Sequence, residues 1–501
     1  MRGAAPMAVI CVDAGTTMIK AVGYDRAGAE IAVTRHEAGV TRPAPGWAEQ
    51  DMGAVWDAVT RVVREVAGFM GEGVDFISVT AQGDGCWLVD EAGAPTGPAI
   101  LWNDGRAAGI VDAWTRSGIV ERAFRINGSL TASGLPSAIL SWLGRHDRDR
   151  LDRSAAMLTC GGWIFSRLTG EIACDESDGS APFMDPRTRR YSADLFDLFD
   201  LGWAARLLPE PRDDAHRVAG LTGEAAALLG LPEGTPVVMA PYDIAATAIG
   251  AGAVEVGQAC SILGTTLCTE IVVDRLDLDG DASGITVASG VPGRHLRAFP
   301  TFAGVEVIEW ACRLLGLGGP AELGELAAAG APGAGGLAFL PYLSPAGERA
   351  PFLDPLARGS FLGLSFEHGR EQVARAVFEG LTLVIHDCLA ASGVRPRELR
   401  LCGGGAASAL WRQLIADVTG TTVFRSRDAE VGARGAYLVG LVATGAAASV
   451  EAAAREHVRL SDAVEPDPAG SARYARMYED FLALREANAA AWPLLARGRG
   501  A

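Results

Sequence analysis

Lysine is almost missing from this chain: Lys20 is the only one in 501 residues, and arginine supplies the other basic side chains. Basic charge as a whole is also scarce, with 44 Lys and Arg against 61 Asp and Glu and a net charge of −17. That deficit excludes nucleic acid or an anionic membrane surface as the main partner. It leaves room for an anionic nucleotide held locally by backbone N–H groups and a metal ion. The nine cysteines are scattered, with no C-x-x-C pair and no metal-ligand spacing, which points to buried, reduced thiols. No apolar run approaches the roughly 18 residues of a membrane span. Residues 1–6 hold no apolar stretch of signal-peptide length. The expectation is a soluble, cytoplasmic protein with no membrane and no nucleic-acid partner.

What is present begins with a repeated triplet. Gly15-Thr16-Thr17 and Gly264-Thr265-Thr266 lie half a chain apart, each between two apolar runs that read as strands. Glycine permits a tight turn with exposed N–H groups, and neighbouring Thr hydroxyls add donors, so such a hairpin suits a phosphate oxyanion. An ordinary hairpin is the plainer reading of either triplet alone. Two of them in matched context, with Asp13 two residues before the first glycine, suggest two similar lobes closing on one polyphosphate. The length supports two cores of about 250 residues each. Their boundary is expected near Gly250 to Gly257, giving lobes of residues 7–253 and 254–501. Lys20 follows the first hairpin, as either a phosphate partner or a surface lysine on the second strand.

Apolar spacing predicts a helix from Met52 to Val66, and a strand over Phe76–Thr80 that ends in Gln82-Gly83-Asp84-Gly85. Polar, Gly-rich loops beyond strand ends are where open α/β sheets place ligands. Ile100-Leu101-Trp102-Asn103-Asp104-Gly105-Arg106 runs from apolar to polar in the same manner. In the second half, helices are predicted at about 304–316 and 370–392. A strand then runs into Gly403-Gly404-Gly405 and a helix carrying Leu410, Leu414 and Val418. Strand, glycines, helix is a nucleotide-facing arrangement, although glycine also serves close packing. Asp243 opens an Ala-rich helix, as either an N-cap or a base for an attacking hydroxyl. Residues 450–501 read as helical.

Taken together, these segments resemble the FGGY carbohydrate kinases, of the actin-like, hexokinase-like ATPase superfamily, over residues 8–447. Val12-Asp13-Ala14-Gly15-Thr16-Thr17 through Lys20 is similar to the first phosphate motif, and Leu263 to Thr266 to the second. Pro241-Tyr242-Asp243 with Gly250-Ala251-Gly252 resembles the segment that carries the catalytic base. Leu401 to Asp417, with Gly403, Gly404, Gly405, Ser408, Trp411 and Gln413, is similar to the adenosine motif. Gly359 to Leu383 resembles the C-terminal signature.

The resemblance implies a two-lobed, ribonuclease H-like α/β fold with duplicated lobes and an active-site cleft between them. It implies ATP and Mg2+ as cofactors, Asp13 placing the metal, and Asp243 as base and substrate contact. The ATP-facing residues are then Gly15, Thr16, Thr17, Lys20, Gly264, Thr265, Thr266, Gly403, Gly404, Gly405, Ser408 and Gln413. Gln82, Asp84 and Asp104 hold a small polyol or ketose, and the chain is compatible with a homodimer. The loop at 81–89 is closest to erythritol kinases. The stretch 45–52 is closer to L-xylulose-type kinases, and 99–106 is shared with D-xylulose kinases. Those usually carry Met-His where this chain has Gly83-Asp84, a departure that weighs against D-xylulose. Two rival readings stand beside this one: a non-catalytic actin-like protein switched by ATP, and a kinase for a signalling polyol.

Overall fold

A computed structural model describes residues 8–70, 73–213, 216–264, 267–461 and 463–497. Thr265 and Thr266 of the second hairpin lie outside the described residues. The chain forms two compact units. The first comprises 1–254, 274–296 and 430–458; the second comprises 255–273, 297–429 and 459–501.

In the first unit, β1 (Val9–Ala14), β2 (Met18–Tyr24) and β3 (Glu30–Glu37) form an antiparallel meander. β4 (Phe76–Ala81) lies parallel to β1 on its other side. β5 (Val218–Gly220) and β6 (Pro236–Met239) complete a six-stranded sheet of order β5-β6-β4-β1-β2-β3. β1 is apolar on both faces because both are covered. Ile10 and Val12 join a core with Val55, Val59 and Val63 of the helix Met52–Phe69. Val9 and Cys11 join another with Ala433, Ala436 and Tyr437 of the helix Val431–Ala443. The first of these helices starts where Asp51 accepts the Ala54 N–H at 2.9 Å, an N-cap that satisfies an orphan donor.

The second unit repeats the order. β7 (Gln258–Leu263) pairs antiparallel with β8 (Leu267–Val273) and parallel with β10 (Glu398–Cys402), which pairs parallel with β11 (Thr422–Arg425). β9 (His295–Pro300) lies beside β8. Helices Arg370–Ala391 and Ala409–Thr419 pack together in this unit. Residues after 450 include the helices Val450–His457, Pro468–Ala489 and Trp492–Arg497. All nine cysteines are buried and none forms a disulfide. Among the described residues, no helix is long and apolar enough to cross a membrane.

Candidate active site

The register of the first sheet gathers three of its polar groups. Asp13 on β1 stands opposite Lys20 on β2 and Thr80 on β4, and directly opposed residues present their side chains to one face. Thr80 donates its hydroxyl to the Pro241 carbonyl at 2.7 Å. Two residues later comes Asp243, the first residue of the helix Asp243–Gly250, whose N-cap is Tyr242. Asp243 is therefore not the cap. One of its carboxylate oxygens accepts the Ile244 N–H at 2.8 Å.

Backbone contact fixes that helix. A Cβ on Gly250 would stand 1.9 Å from the Val431 carbonyl oxygen, and one on Gly435 only 1.8 Å from that of Ala246. The two helices thus touch main chain to main chain, which only glycine allows. Gly432, on the same partner helix, brings its α-carbon close to Asp13: a Cβ there would be 3.1 Å from Oδ2.

Burial and like charge shape the electrostatics. Burial, then the charges of Asp13 and Asp84, push the Asp243 carboxyl up to about 7 despite its Ile244 hydrogen bond. Burial lifts Asp13 to about 6, against the downward pull of Lys20. Asp178, in the short helix Glu176–Ser180, was not anticipated from the sequence. Burial and then the charges of Asp175, Asp84 and Asp243 hold its carboxyl well above the ordinary range. Its Oδ1 is buried with no hydrogen-bond partner among the described residues. Asp175 caps this helix through the N–H groups of Ser177 and Asp178, and Arg217 lies 3.7 Å from its carboxylate.

The remaining expected residues fall into two groups. Lys20 is tied at 2.8 Å to Glu430, which also pairs with Arg35. Burial would raise Glu430, but Lys20 and Arg35 hold its carboxyl below the usual range. Thr16 is spoken for: its hydroxyl accepts from Trp102 Nε1 and donates to Gln82 Oε1, both at 2.8 Å. Gln82 Nε2 donates to Gln50 Oε1 at 2.7 Å, and Gln50 Nε2 returns to the Thr16 carbonyl at 2.9 Å. The Gln82 amide therefore already holds two protein partners, which fix its position.

Asp104 is fully buried and likewise engaged. It accepts the Ala48 N–H at 2.6 Å and the Arg106 guanidinium at 2.9 Å, with Arg106 also bonded to Glu49 at 2.6 Å and stacked on Trp47. It clamps two loops, because an unpaired carboxylate with no water around it would be too costly. Asp84, by contrast, is half-buried and held at φ 53 in the left-handed region, between glycines. Thr17 is exposed and its side chain makes no hydrogen bond among the described residues.

In the second unit, Gly403 and Gly405 press on the strand that leads to Gly264. Their added Cβ atoms would meet the Leu263 carbonyl oxygen at 2.7 Å and the Trp411 ring at 2.6 Å respectively. Gly404 meets nothing within 4 Å and is exposed. Ser408 caps the helix Ala409–Thr419 by accepting from Trp411 N–H at 3.2 Å. Gln413 is pinned to Asp417 and the Glu465 carbonyl.

The donor set also bears on a metal. No cluster of three or more His, Cys, Asp or Glu side chains suited to a metal occurs among the described residues. Asp13 offers a carboxylate for which no hydrogen bond is described, beside an already raised carboxyl. One protein carboxylate plus water and phosphate oxygens is a normal shell for Mg2+. The residues present therefore fit such an ion.

Two family models match the chain, both described as the FGGY family of carbohydrate kinases: the N-terminal domain over residues 8–250 and the C-terminal domain over 259–444. Erythritol kinase of Brucella abortus (strain 2308) is 32% identical, over 98% of this chain and 98% of its own. Xylulose kinase of Escherichia coli (strain K12) is 30% identical, over 84% of this chain and 87% of its own. Among solved structures, xylulose kinase from Rhodospirillum rubrum matches with a TM-score of 0.88 at 29% identity, covering 97% of this chain and 99% of that one. Gluconate kinase from Lactobacillus acidophilus matches at 0.92 with 24% identity and coverage of 97% and 99%, a likeness of fold alone.

Proposed function

Because the chain belongs to the FGGY family of carbohydrate kinases, its activity is ATP-dependent phosphorylation of a carbohydrate, and we propose that Asp243 is the general base. The acceptor in this reading is a small, neutral polyol or ketose of the erythritol or xylulose type. Support for that class comes from the erythritol and xylulose kinases among the relatives and from the carboxylates around the base, which disfavour an anionic acceptor.

The observation that carries the reading is the state of Asp243. A carboxyl raised to about 7 is matched to taking a proton from a hydroxyl near neutral pH. As the hydroxyl oxygen bonds to the γ-phosphorus, the bond to the bridging oxygen breaks, ADP leaves, and the proton passes to Asp243. Asp84 accepts hydrogen bonds from acceptor hydroxyls. Gln82 and Asp104 act from behind, by fixing the loops.

On the nucleotide side, the Gly15–Thr17 turn, Thr265 and Thr266 supply donors to phosphate, and Gly404 borders the adenosine. Asp13 would hold Mg2+, which when bound supplies positive charge against the phosphate oxygens. Lys20, paired with Glu430 through one of its three N–H donors, offers the others to phosphate.

The test is Asp243→Asn. Turnover should fall by roughly 10²–10⁴-fold with ATP affinity nearly unchanged. Near-normal turnover refutes the base.

A further inference from the structure

Gly83 is unusual among the glycines of the acceptor loop. Its φ is not positive, so the backbone there does not require glycine, unlike Gly85 with φ 72. What requires it is a ring. A Cβ on Gly83 would lie 2.3, 2.5 and 2.8 Å from Cδ2, Cε2 and Cγ of Tyr242, distances that no side chain can share.

Tyr242 is in turn held fast. Its N–H donates to Ser177 Oγ at 2.9 Å, the preceding Pro241 carbonyl accepts from Thr80, and the residue is only 5% exposed. Gly83 is followed by Asp84, and Tyr242 by Asp243. The ring is therefore a rigid slab between the loop that offers Asp84 and the helix start that offers the base.

We propose that Tyr242, seated on Gly83, is the specificity-determining wall of the acceptor site. It limits how long a neutral polyhydroxy chain can be when one hydroxyl lies at Asp243. The inference rests on the kinase reading above. A flat side chain with few rotamers sets a sharp limit, and excess methylenes against such a wall cost about 1–3 kcal/mol each, 10–200-fold in rate. The glycine and the tyrosine then form one device: the loop gives up a side chain so that the ring can stand where it does.

The experiment compares wild type, Gly83→Ala, Tyr242→Ala and the double variant. It reads melting temperature, and kcat/KM with Mg-ATP for glycerol, erythritol, xylitol and sorbitol. Gly83→Ala alone should lower the melting temperature by several degrees, and Tyr242→Ala should cost clearly less stability in the Gly83→Ala background than in wild type. Tyr242→Ala should raise the ratio of kcat/KM for longer over shorter acceptors by about tenfold or more. Tyr242→Leu, which keeps the core filled, gives the same ratio test if Tyr242→Ala does not fold. Losses that simply add in the double variant overturn the packing premise. An active wild type whose acceptor profile is unmoved in the Tyr242 variants overturns the specificity role alone. A wild type that turns over no acceptor overturns the kinase reading and this role with it.

Discussion

At the proposed base, burial and the charge of Asp13 hold the Asp243 carboxyl up at about 7 against an ordinary 3.8. A carboxyl raised in the folded state binds protons more readily there than in the unfolded chain. Its favourable contribution is complete below the unfolded value and is lost as pH rises through about 7. The functional charge is therefore a stability cost, on the order of 2 kcal/mol once solvent reaching the half-buried side chain is allowed for. Asp243→Asn, measured without nucleotide or metal, should melt above wild type at pH 8, and the gap should narrow steadily toward pH 5. Equal melting temperatures at pH 8 would show that the carboxylate carries no such cost. The same residue thus gives opposite effects on activity and stability, as expected where a site is built for chemistry.

Between elements, the decisive contact is the crossing of the helices Asp243–Gly250 and Val431–Ala443 at Gly250 and Gly435. Gly→Ala within a helix normally gains up to about 1 kcal/mol. At Gly435 the added methyl group meets the Ala246 carbonyl and must push the helices apart, an overpacking cost of about 1–3 kcal/mol or more. Gly435→Ala should therefore melt several degrees below wild type and lose turnover, since it displaces the helix that starts at Asp243, the proposed base. Gly109→Ala is the control, in the helix Ala108–Arg116, where an added Cβ meets nothing within 4 Å. A Gly435→Ala protein as stable and as active as that control would contradict the close crossing.

Much at this scale was legible beforehand. The hairpin at Gly15, the helix Met52–Phe69 and the helix Arg370–Ala391 follow from local spacing, which the structure honours within a few residues. Asp13 and Asp243 stand out because glycine and strand ends mark them. Other features carry no periodic signal. Glu430 reaches Lys20 across 410 positions, Asp178 sits in a five-residue helix, and the Gly83–Tyr242 contact joins two segments far apart in the sequence. Asp104 and Gln82 have the composition expected of sugar ligands, yet both are buried and hold protein partners. The returns of 274–296 and 430–458 to the first unit likewise lack any composition shift to announce them.

For the molecule as a whole, two sheets share the order of five strands, each with a glycine-bearing turn after its first strand, and family models for both halves of a carbohydrate kinase match the chain. A net charge of −17 means that an anionic nucleotide must be held by local donors and an ion rather than by a basic surface. In the proposed site the acceptor faces carboxylates. The central claim is that ATP turnover is coupled to a small neutral polyhydroxy acceptor. Its most direct test is ADP release from Mg-ATP across C3 to C6 polyols and ketoses, led by erythritol, L-xylulose, D-xylulose, ribulose and xylitol. Strong release with one or two of these, and little without acceptor, is the predicted result. Tight ATP binding with no acceptor-dependent release across the panel would contradict it.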